Sequence, residues 1–153
     1  MTAVFTIRAA RAADLSAVET ALRDSDLPLD GLADQFGDAY AVAEANGQLI
    51  GVEGIEVHGE DGLLRSAAVV SSWRGKGVGD ALTRDRIDWA RRRGLRSLYL
   101  LTTTAGEYFR RFGFAPVGRE SAPDAVQRSR EFADACPSTA LFMALSLQPE
   151  STQ

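Results

Sequence analysis

The sequence is poor in the features that mark secreted or membrane proteins. A single cysteine, Cys136, stands among 153 residues, which excludes an intrachain disulfide and is typical of a reducing compartment. No apolar run is long enough to cross a bilayer. The N-terminus MTAVFTIRAA also lacks a charged segment followed by a long apolar stretch, so it does not resemble a secretory signal. We therefore expect a cytoplasmic protein.

Positive charge is not in excess either. The 17 Lys and Arg residues are outnumbered by 21 Asp and Glu residues, giving a net charge of −4, which weighs against nucleic-acid binding. The run Arg91-Arg92-Arg93 fits the C-terminus of a helix, where cations are favoured. One thiol is a poor site for a soft metal or metalloid, because such sites use several ligands. We expect no nucleic-acid, membrane or metal partner.

Length and composition are those of one globular domain. Hydrophobic residues make up 45% and charged residues 25% of the chain, which is ordinary for a soluble protein with one core. We expect residues 1–148 to form a single domain and residues 149–153 to form a frayed tail.

The periodicity of the chain predicts the element order β-α-(α)-β-β-β-α-β-α-β-α-β. Asn46-Gly47 is a two-residue hairpin signal, and Gly59 to Gly62 form the next turn. A helix is predicted from Val78 to about Arg93. On that helix Val78, Leu82 and Trp89 share one face, whereas Ile87 lies nearly opposite. Because a strand-helix-strand unit needs a parallel strand pair and hairpins need antiparallel pairs, the order predicts a mixed sheet with helices on its faces.

The stretch WRGKGVG, residues 73–79, lies between a buried strand and this helix. It is not a Walker loop, because Gly77 follows Lys76 where Ser or Thr is required. It is not a dinucleotide fingerprint, because Asp80 occupies the position of a small third residue. Two interpretations remain: a tight turn without a ligand, or a glycine loop that binds an anion at a helix N-terminus.

Further motifs favour the anion site. Arg74-x-x-Gly77-x-Gly79, preceded by the strand end AAV, resembles the acetyl-CoA signature of the GNAT superfamily of N-acetyltransferases. EYFRRFGF, residues 107–114, resembles that family's second landmark, a short helix ending in an aromatic turn. The resemblance implies a mixed, mostly antiparallel sheet of six to seven strands, with helices on both faces and a splayed central parallel pair. LLRSAAV, LYLLTTTAGEYF and REFADACPSTALFM look more narrowly like the arsenic-resistance-associated N-acetyltransferases.

The resemblance also implies how acetyl-CoA, the co-substrate, would bind. The diphosphate would lie on the loop amides, and the pantetheine arm would lie between the strands that end near Val69 and Leu101. There it would form hydrogen bonds to Ala67 and Val69 like an added strand. The residues assigned to the cofactor are Ala67, Ala68, Val69, Arg74, Gly75, Lys76, Gly77, Val78, Gly79, Thr102 and Phe109.

Acetyl transfer needs a base, because an alkylamine has a pKa of about 10.4 and is mostly protonated at neutral pH. The candidates are Glu53, Glu56 and His58, and the Val69 amide is the candidate donor to the oxyanion. Glu53 and Glu56 face opposite sides of a regular strand, unless Gly54 marks a bulge. The alternatives are solvated strand positions for both glutamates and a surface position for His58.

The family often supplies an acid from a tyrosine four residues before the turn glycine, where this chain has Phe109. Tyr108 precedes it, but one helical step rotates a side chain by about 100°. Three possibilities follow: Tyr108 reaches the sulfur through a distortion, residues 102–104 or water serve instead, or no acid is needed. The last is favoured, because a thiolate with a pKa of about 8.5 leaves tolerably unaided. Tyr108 would then be a packed aromatic residue.

Arg65 lies among apolar residues of a predicted strand and must find a partner. It is a candidate for binding a substrate carboxylate, with Arg128 and Arg130 assisting. The alternative is a salt bridge to Glu53, Glu56 or an aspartate. The sequence thus predicts an N-acetyltransferase of a small amine, such as an amino acid or an arsenic- or phosphorus-containing analogue.

Other functions remain open. A non-catalytic acyl-CoA-binding domain would explain the missing tyrosine, and a protein or peptide N-acetyltransferase would share the fold. A metalloid-binding protein is a third alternative. A homodimer is possible through the last predicted strand, TALFMALSL, residues 139–147.

Overall fold

The computed structural model describes residues 4–27, 29, 32–103, 105–128 and 140–147. Strands and helices follow one another in the predicted order, and the helix predicted from Val78 has the predicted ends. The elements are β1 (Thr6–Ala9), α1 (Leu15–Asp24), β2 (Tyr40–Ala45), β3 (Gln48–His58), β4 (Asp61–Val69), α2 (Val78–Arg93), β5 (Ser97–Thr102), α3 (Gly106–Arg110), β6 (Ala115–Pro116), α4 (Asp124–Gln127) and β7 (Leu141–Ser146).

The seven strands of the described residues form one sheet in the order β1-β2-β3-β4-β5-β7-β6. Every neighbouring pair is antiparallel except β4 and β5, which are parallel. This confirms the predicted mixed sheet and its central parallel pair. The predicted dimerisation strand, β7, lies inside the sheet between β5 and β6.

The parallel pair is joined only at its beginning. Residues 61–63 of β4 pair with residues 97–99 of β5, and no pairing follows in the described part of either strand. β4 continues to Val69 along β3, and β5 continues to Thr102 along β7. The two central strands therefore diverge and leave a gap in the middle of the sheet.

A β-bulge bends β4 beside this gap. Val52 pairs with Ala68 and Gly54 pairs with Arg65, so two residues of β4 oppose Glu53 alone. One of them, Ser66, has a positive φ of 60°. The extra residue of the bulge thus lies in β4, and Gly54 of β3, where a bulge was one alternative, pairs with Arg65.

Gly54 instead permits close packing against a tyrosine. A Cβ at this position would lie 2.2 Å from ring atoms of Tyr40, which is well inside van der Waals contact. The glycine is therefore required by the core between the sheet and α1, rather than by an irregularity in its own strand.

Helices cover both faces of the sheet. Val18 and Leu22 of α1 pack with Val52 on one face. On the other face, α2 lies so close to Gly51 that a Cβ there would be 3.0 Å from Leu82 and Val78. Successive strand residues point to opposite faces, so residues 51, 53 and 55 face α2. No helix in the described part of the chain is long and apolar enough to cross a membrane.

The buried face of α2 is wider than its amphipathic pattern indicates. Ile87, predicted to lie nearly opposite the core, is buried in the largest apolar cluster, whereas Trp89 is only partly buried. Thr83 and Arg86 are also buried, and they lie near the middle of this face. Because two polar residues occupy the centre of the packed surface, the apolar pattern alone misplaces the face.

Candidate active site

The gap between β4 and β5 opens into a cavity of about 970 Å³. It extends from the glycine loop before α2, along the end of β4, to the C-terminal end of α1. Its volume is at the upper end of the range for small-molecule and cofactor sites, about 300–1,000 Å³. The parallel strands thus form a cleft large enough for a long ligand beside a second small one.

The glycine loop presents an exposed backbone at one end of the cavity. Gly75 and Gly77 have positive φ values of 77° and 87°, and no atom lies within 4 Å of where a Cβ would be. No side chain caps the N-terminus of α2. The first turn of a helix has N–H groups without intrahelical acceptors, so this end of α2 suits an anion.

Most of the predicted cofactor residues are brought together around the cavity, whereas Lys76 is exposed and is not part of the lining. The Arg74 amide donates to the Ser71 carbonyl at 3.3 Å, so it is less available to a ligand than the prediction assumes. The predicted cofactor residues that line the cavity are Ala67, Ala68, Val69, Arg74, Gly75, Gly77, Val78, Gly79, Thr102 and Phe109.

The backbone of Val69 is oriented toward the gap. The next amide, that of Val70, donates to the Ile50 carbonyl of β3 at 2.9 Å. Successive amides of an extended strand point to opposite edges, so the Val69 amide points away from β3 and toward β5. A donor in this position can reach a ligand that lies between the two strands.

Glu53 is a buried carboxyl group in the wall of the cavity. Its exposure is 1%, so the expectation of a solvated strand position is wrong. Oε1 accepts a hydrogen bond of 2.9 Å from the Thr83 hydroxyl, and Oε2 has no partner among the described residues. Burial raises the pKa of Glu53 to about 8, against the smaller lowering effects of Thr83 and Arg86.

Glu56 faces the opposite side of the sheet and does not line the cavity. Its carboxylate forms a salt bridge with Arg65 and a hydrogen bond of 2.9 Å with His58 Nε2. Burial opposes ionisation of Glu56, but the bonds from His58 and Arg65 outweigh it and lower its pKa. His58 is not a surface residue, since its side chain is 17% exposed and is held by this carboxylate.

Arg65 lines the cavity although its side chain is 0% exposed. Its Nε donates to Ser66 Oγ at 2.9 Å, and the salt bridge to Glu56 is the alternative considered from the sequence. Arg128 follows α4 as an exposed residue and is not part of the cavity lining. Arg130, Thr104 and Cys136 lie outside the described residues.

Tyr108 also lines the cavity. Its hydroxyl donates to Asp80 Oδ1 at 2.9 Å, and Asp80 Oδ2 accepts from Arg111 at 3.0 Å. Burial raises the pKa of Tyr108 to about 12, with Thr83 opposing this effect and Asp80 adding to it. Phe109 is buried against Phe114, with ring centroids 5.9 Å apart. Of these two neighbouring aromatic residues, Tyr108 thus makes a polar contact beside the cavity and Phe109 packs in the core.

Two polar residues of α2 escaped the sequence analysis as parts of this site. Thr83 binds Glu53 and Asp80 binds Tyr108. A helical wheel could have indicated Thr83, because it is a small polar residue between apolar positions of α2. Asp80 was considered only as evidence against a dinucleotide loop.

Comparisons with known proteins give this geometry a family. A model described as an acetyltransferase (GNAT) domain matches residues 37–116, which include Glu53, the glycine loop and α3. The chain belongs to the GNAT acetyltransferase family. GNAT enzymes take their acetyl group from acetyl-CoA, so the predicted enzyme class and co-substrate are confirmed.

The amino-acid acetyltransferase of Pseudomonas putida (strain GB-1) is 36% identical over 90 residues, 58% of this chain and 21% of that protein. The chain therefore spans about a fifth of the length of the curated relatives it matches. The closer resemblance to arsenic-resistance-associated enzymes finds no support in these relatives and stays a prediction.

Solved GNAT structures share the fold over nearly the whole chain. N-acetylglutamate synthase from Neisseria gonorrhoeae, complexed with coenzyme A and N-acetyl-glutamate, has a TM-score of 0.81 at 21% identity, covering 97% of this chain and 36% of that one. Rv2747 from Mycobacterium tuberculosis, in complex with CoA, has a TM-score of 0.79 at 24% identity, covering 94% of this chain and 99% of that one. At these identities the likeness shows the fold.

Proposed function

We propose that this GNAT domain transfers the acetyl group of acetyl-CoA to the amino group of an amino acid or a similar small, carboxylate-bearing amine. The observation that carries the proposal is that one cavity is lined both by a buried carboxyl group, Glu53 of β3, and by a buried guanidinium group, Arg65 of β4. The first can accept a proton and the second can attract a carboxylate. The amino-acid acetyltransferases among the relatives support the same substrate class.

The co-substrate would lie along the gap between β4 and β5. The free N–H groups at the start of α2 and the helix dipole would hold its diphosphate. Its pantetheine arm would run beside Ala67 and Val69, using the strand edge that β5 leaves unpaired. The thioester would then lie near the Val69 amide, which points into the gap.

Glu53 is the favoured base because it lies in the cavity wall and Glu56 does not. Oε2 of Glu53, the oxygen without a partner, would take a proton from the amine. The neutral amine would attack the thioester carbonyl, the Val69 N–H would bind the oxyanion, and the C–S bond would break to release the CoA thiolate. A carboxyl group with a pKa of about 8 is well matched to proton transfer near neutral pH.

Arg65 would recognise the carboxylate of the acceptor. Its salt bridge to Glu56 and its bond to Ser66 fix the guanidinium at the β4 bulge. Glu56 already neutralises much of its charge, so we expect it to select substrates through directed hydrogen bonds.

The proposal is tested in two steps with the purified chain. Calorimetric titration of acetyl-CoA should show micromolar binding, about −8 kcal/mol. Release of CoA should then be followed over a panel of amino acids, their methyl esters, arsenic- and phosphorus-containing analogues, and peptides. Faster turnover of free amino acids than of their esters supports the proposal.

The alternatives give different results in the same two steps. Binding without turnover on any amine would indicate an acyl-CoA-binding domain. Preference for peptides over free amino acids would indicate a peptide N-acetyltransferase. The absence of acetyl-CoA binding would contradict the proposed site altogether.

A further inference from the structure

Thr83 lies in the middle of the buried face of α2, directly opposite Glu53 of β3. Its exposure is 1%, and its hydroxyl donates a hydrogen bond of 2.9 Å to Oε1 of Glu53. A hydroxyl group has a single proton to donate, so this bond commits it to one carboxyl oxygen. The other oxygen, Oε2, has no partner among the described residues, and the Glu53 side chain lines the cavity.

We propose that Thr83 is a positioning residue for acetyl transfer: it holds Oε1 of Glu53, so that Oε2 is the oxygen that meets the substrate amine, and it favours the ionised form of that buried carboxyl group. The inference rests on the proposed function, in which Glu53 is the base. It assigns to Thr83 a role that the glycine motif does not include.

The other groups around Glu53 leave this role to Thr83. From α2, Arg86 lowers the pKa of Glu53 and Asp85 raises it. Arg86 is itself bound to Asp85 and to the carbonyl of Asp38. Among the described residues, Tyr108 of α3 also faces Glu53; its hydroxyl donates to Asp80 and interacts with the Thr83 hydroxyl as well.

Burial is the largest influence on Glu53 and raises its pKa, and the Thr83 bond is the largest influence in the opposite direction. A hydrogen bond to a charged acceptor favours the charged form. Thr83→Val removes the hydroxyl while keeping the shape of the side chain, so it should leave the carboxylate less stable and raise its pKa further.

The experiment compares Thr83→Val with Thr83→Ser, which keeps the hydroxyl. The carboxyl carbon of Glu53 is followed by NMR in protein labelled with ¹³C at glutamate carboxyls, with Glu53→Gln to assign the signal. In Thr83→Val the pKa of Glu53 should rise by about one unit, and in Thr83→Ser it should stay near that of the parent protein. Thr20→Val is the matched control, because the Thr20 hydroxyl bonds only to the Ser16 carbonyl on an exposed part of α1.

Turnover provides the second readout. With a pKa about one unit higher, the ionised fraction of Glu53 at pH 7 falls about tenfold, so kcat/KM should fall about tenfold there. It should recover toward the parent value as the pH rises, because the base is then ionised again. A defect of folding alone would lower kcat/KM at every pH without moving the profile.

An unchanged titration of Glu53 in Thr83→Val overturns the inference, whatever happens to activity. If Thr83→Val does not fold, Thr83→Ala provides the same comparison. Failure of the proposed function has a different signature, the absence of turnover on every amine, and the NMR titration of Glu53 still reads the effect of Thr83 in that case.

Discussion

The phenol of Tyr108 donates a hydrogen bond of 2.9 Å to Oδ1 of Asp80, in the first turn of α2. Its proton is therefore directed at a carboxylate that is itself fixed by Arg111. Burial and this neighbouring charge raise the pKa of Tyr108 to about 12, whereas a thiol has a pKa of about 8.5. A phenol held in this way is a weak proton donor to the CoA thiolate, which can leave without being protonated.

We expect Tyr108→Phe to lower kcat by less than about tenfold, since a true general acid contributes about 10²–10⁴-fold. CoA release under saturating substrates measures the effect. Tyr99→Phe is a suitable control, because Tyr99 is a partly buried tyrosine stacked on Phe142 and does not line the cavity. A loss of 100-fold or more, confined to Tyr108, would show that the hydroxyl protonates the leaving sulfur.

Burial of Glu53 should make stability depend on pH in a definite direction. The pKa of Glu53 is about 8 in the folded protein, against 4.5 for the same group in the unfolded chain. The folded state therefore holds the Glu53 proton more tightly. This tighter binding contributes fully to the free energy of unfolding below about pH 4.5. That contribution is lost as the pH rises to about 8 and stays lost above it.

Glu53→Gln removes this dependence. The change in free energy of unfolding, variant minus parent, should be about 3 to 5 kcal/mol larger at pH 9 than at pH 5. Urea unfolding at the two pH values measures the difference. An equal effect of the substitution at both pH values would mean that Glu53 ionises normally.

Gly77→Asp should abolish binding of acetyl-CoA at the loop. The residue has a φ of 87° and stands at the start of α2, so the substitution places a negative charge where the diphosphate would lie. We expect at least a 100-fold loss of affinity by calorimetry, about 2.7 kcal/mol.

Gly59→Asp is the matched control for this change. Gly59 also has a positive φ, 66°, and open space around it, but it belongs to the β3–β4 turn outside the cavity lining. Comparable losses of affinity in the two variants would point to general destabilisation and would contradict a diphosphate site at the loop.

Arg65 should have separable effects on stability and on substrate binding. Arg65→Leu alone leaves the buried carboxylate of Glu56 without its cationic partner, which costs about 3 to 5 kcal/mol. Arg65→Leu combined with Glu56→Leu should recover much of that loss in urea unfolding. In the folded double variant, KM should rise for amino acids and stay the same for their methyl esters. Equal KM changes for acids and esters would exclude Arg65 from carboxylate recognition.

The sequence predicted those features of the fold and the site that depend on residues close together in the chain. The element order and the ends of α2 follow from periodicity and from Gly94, and the glycine loop is contiguous in the chain. Glu53 and Thr83 meet only because β3 and α2 pack together, and their separation of 30 positions leaves no pattern in a single sequence. The bulge at Ser66 was missed for a related reason, since its register depends on the partner strand and its residue is not a glycine.

Three residue pairs hold β4 to β5 before the strands part. The sheet thus consists of two halves joined by one short paired segment, and the proposed co-substrate would fill the space between the halves. A reactant bound in this way would also be part of the fold, so its binding would stiffen the domain and its release would loosen the gap between β4 and β5. Turnover and rigidity would then alternate within each catalytic cycle.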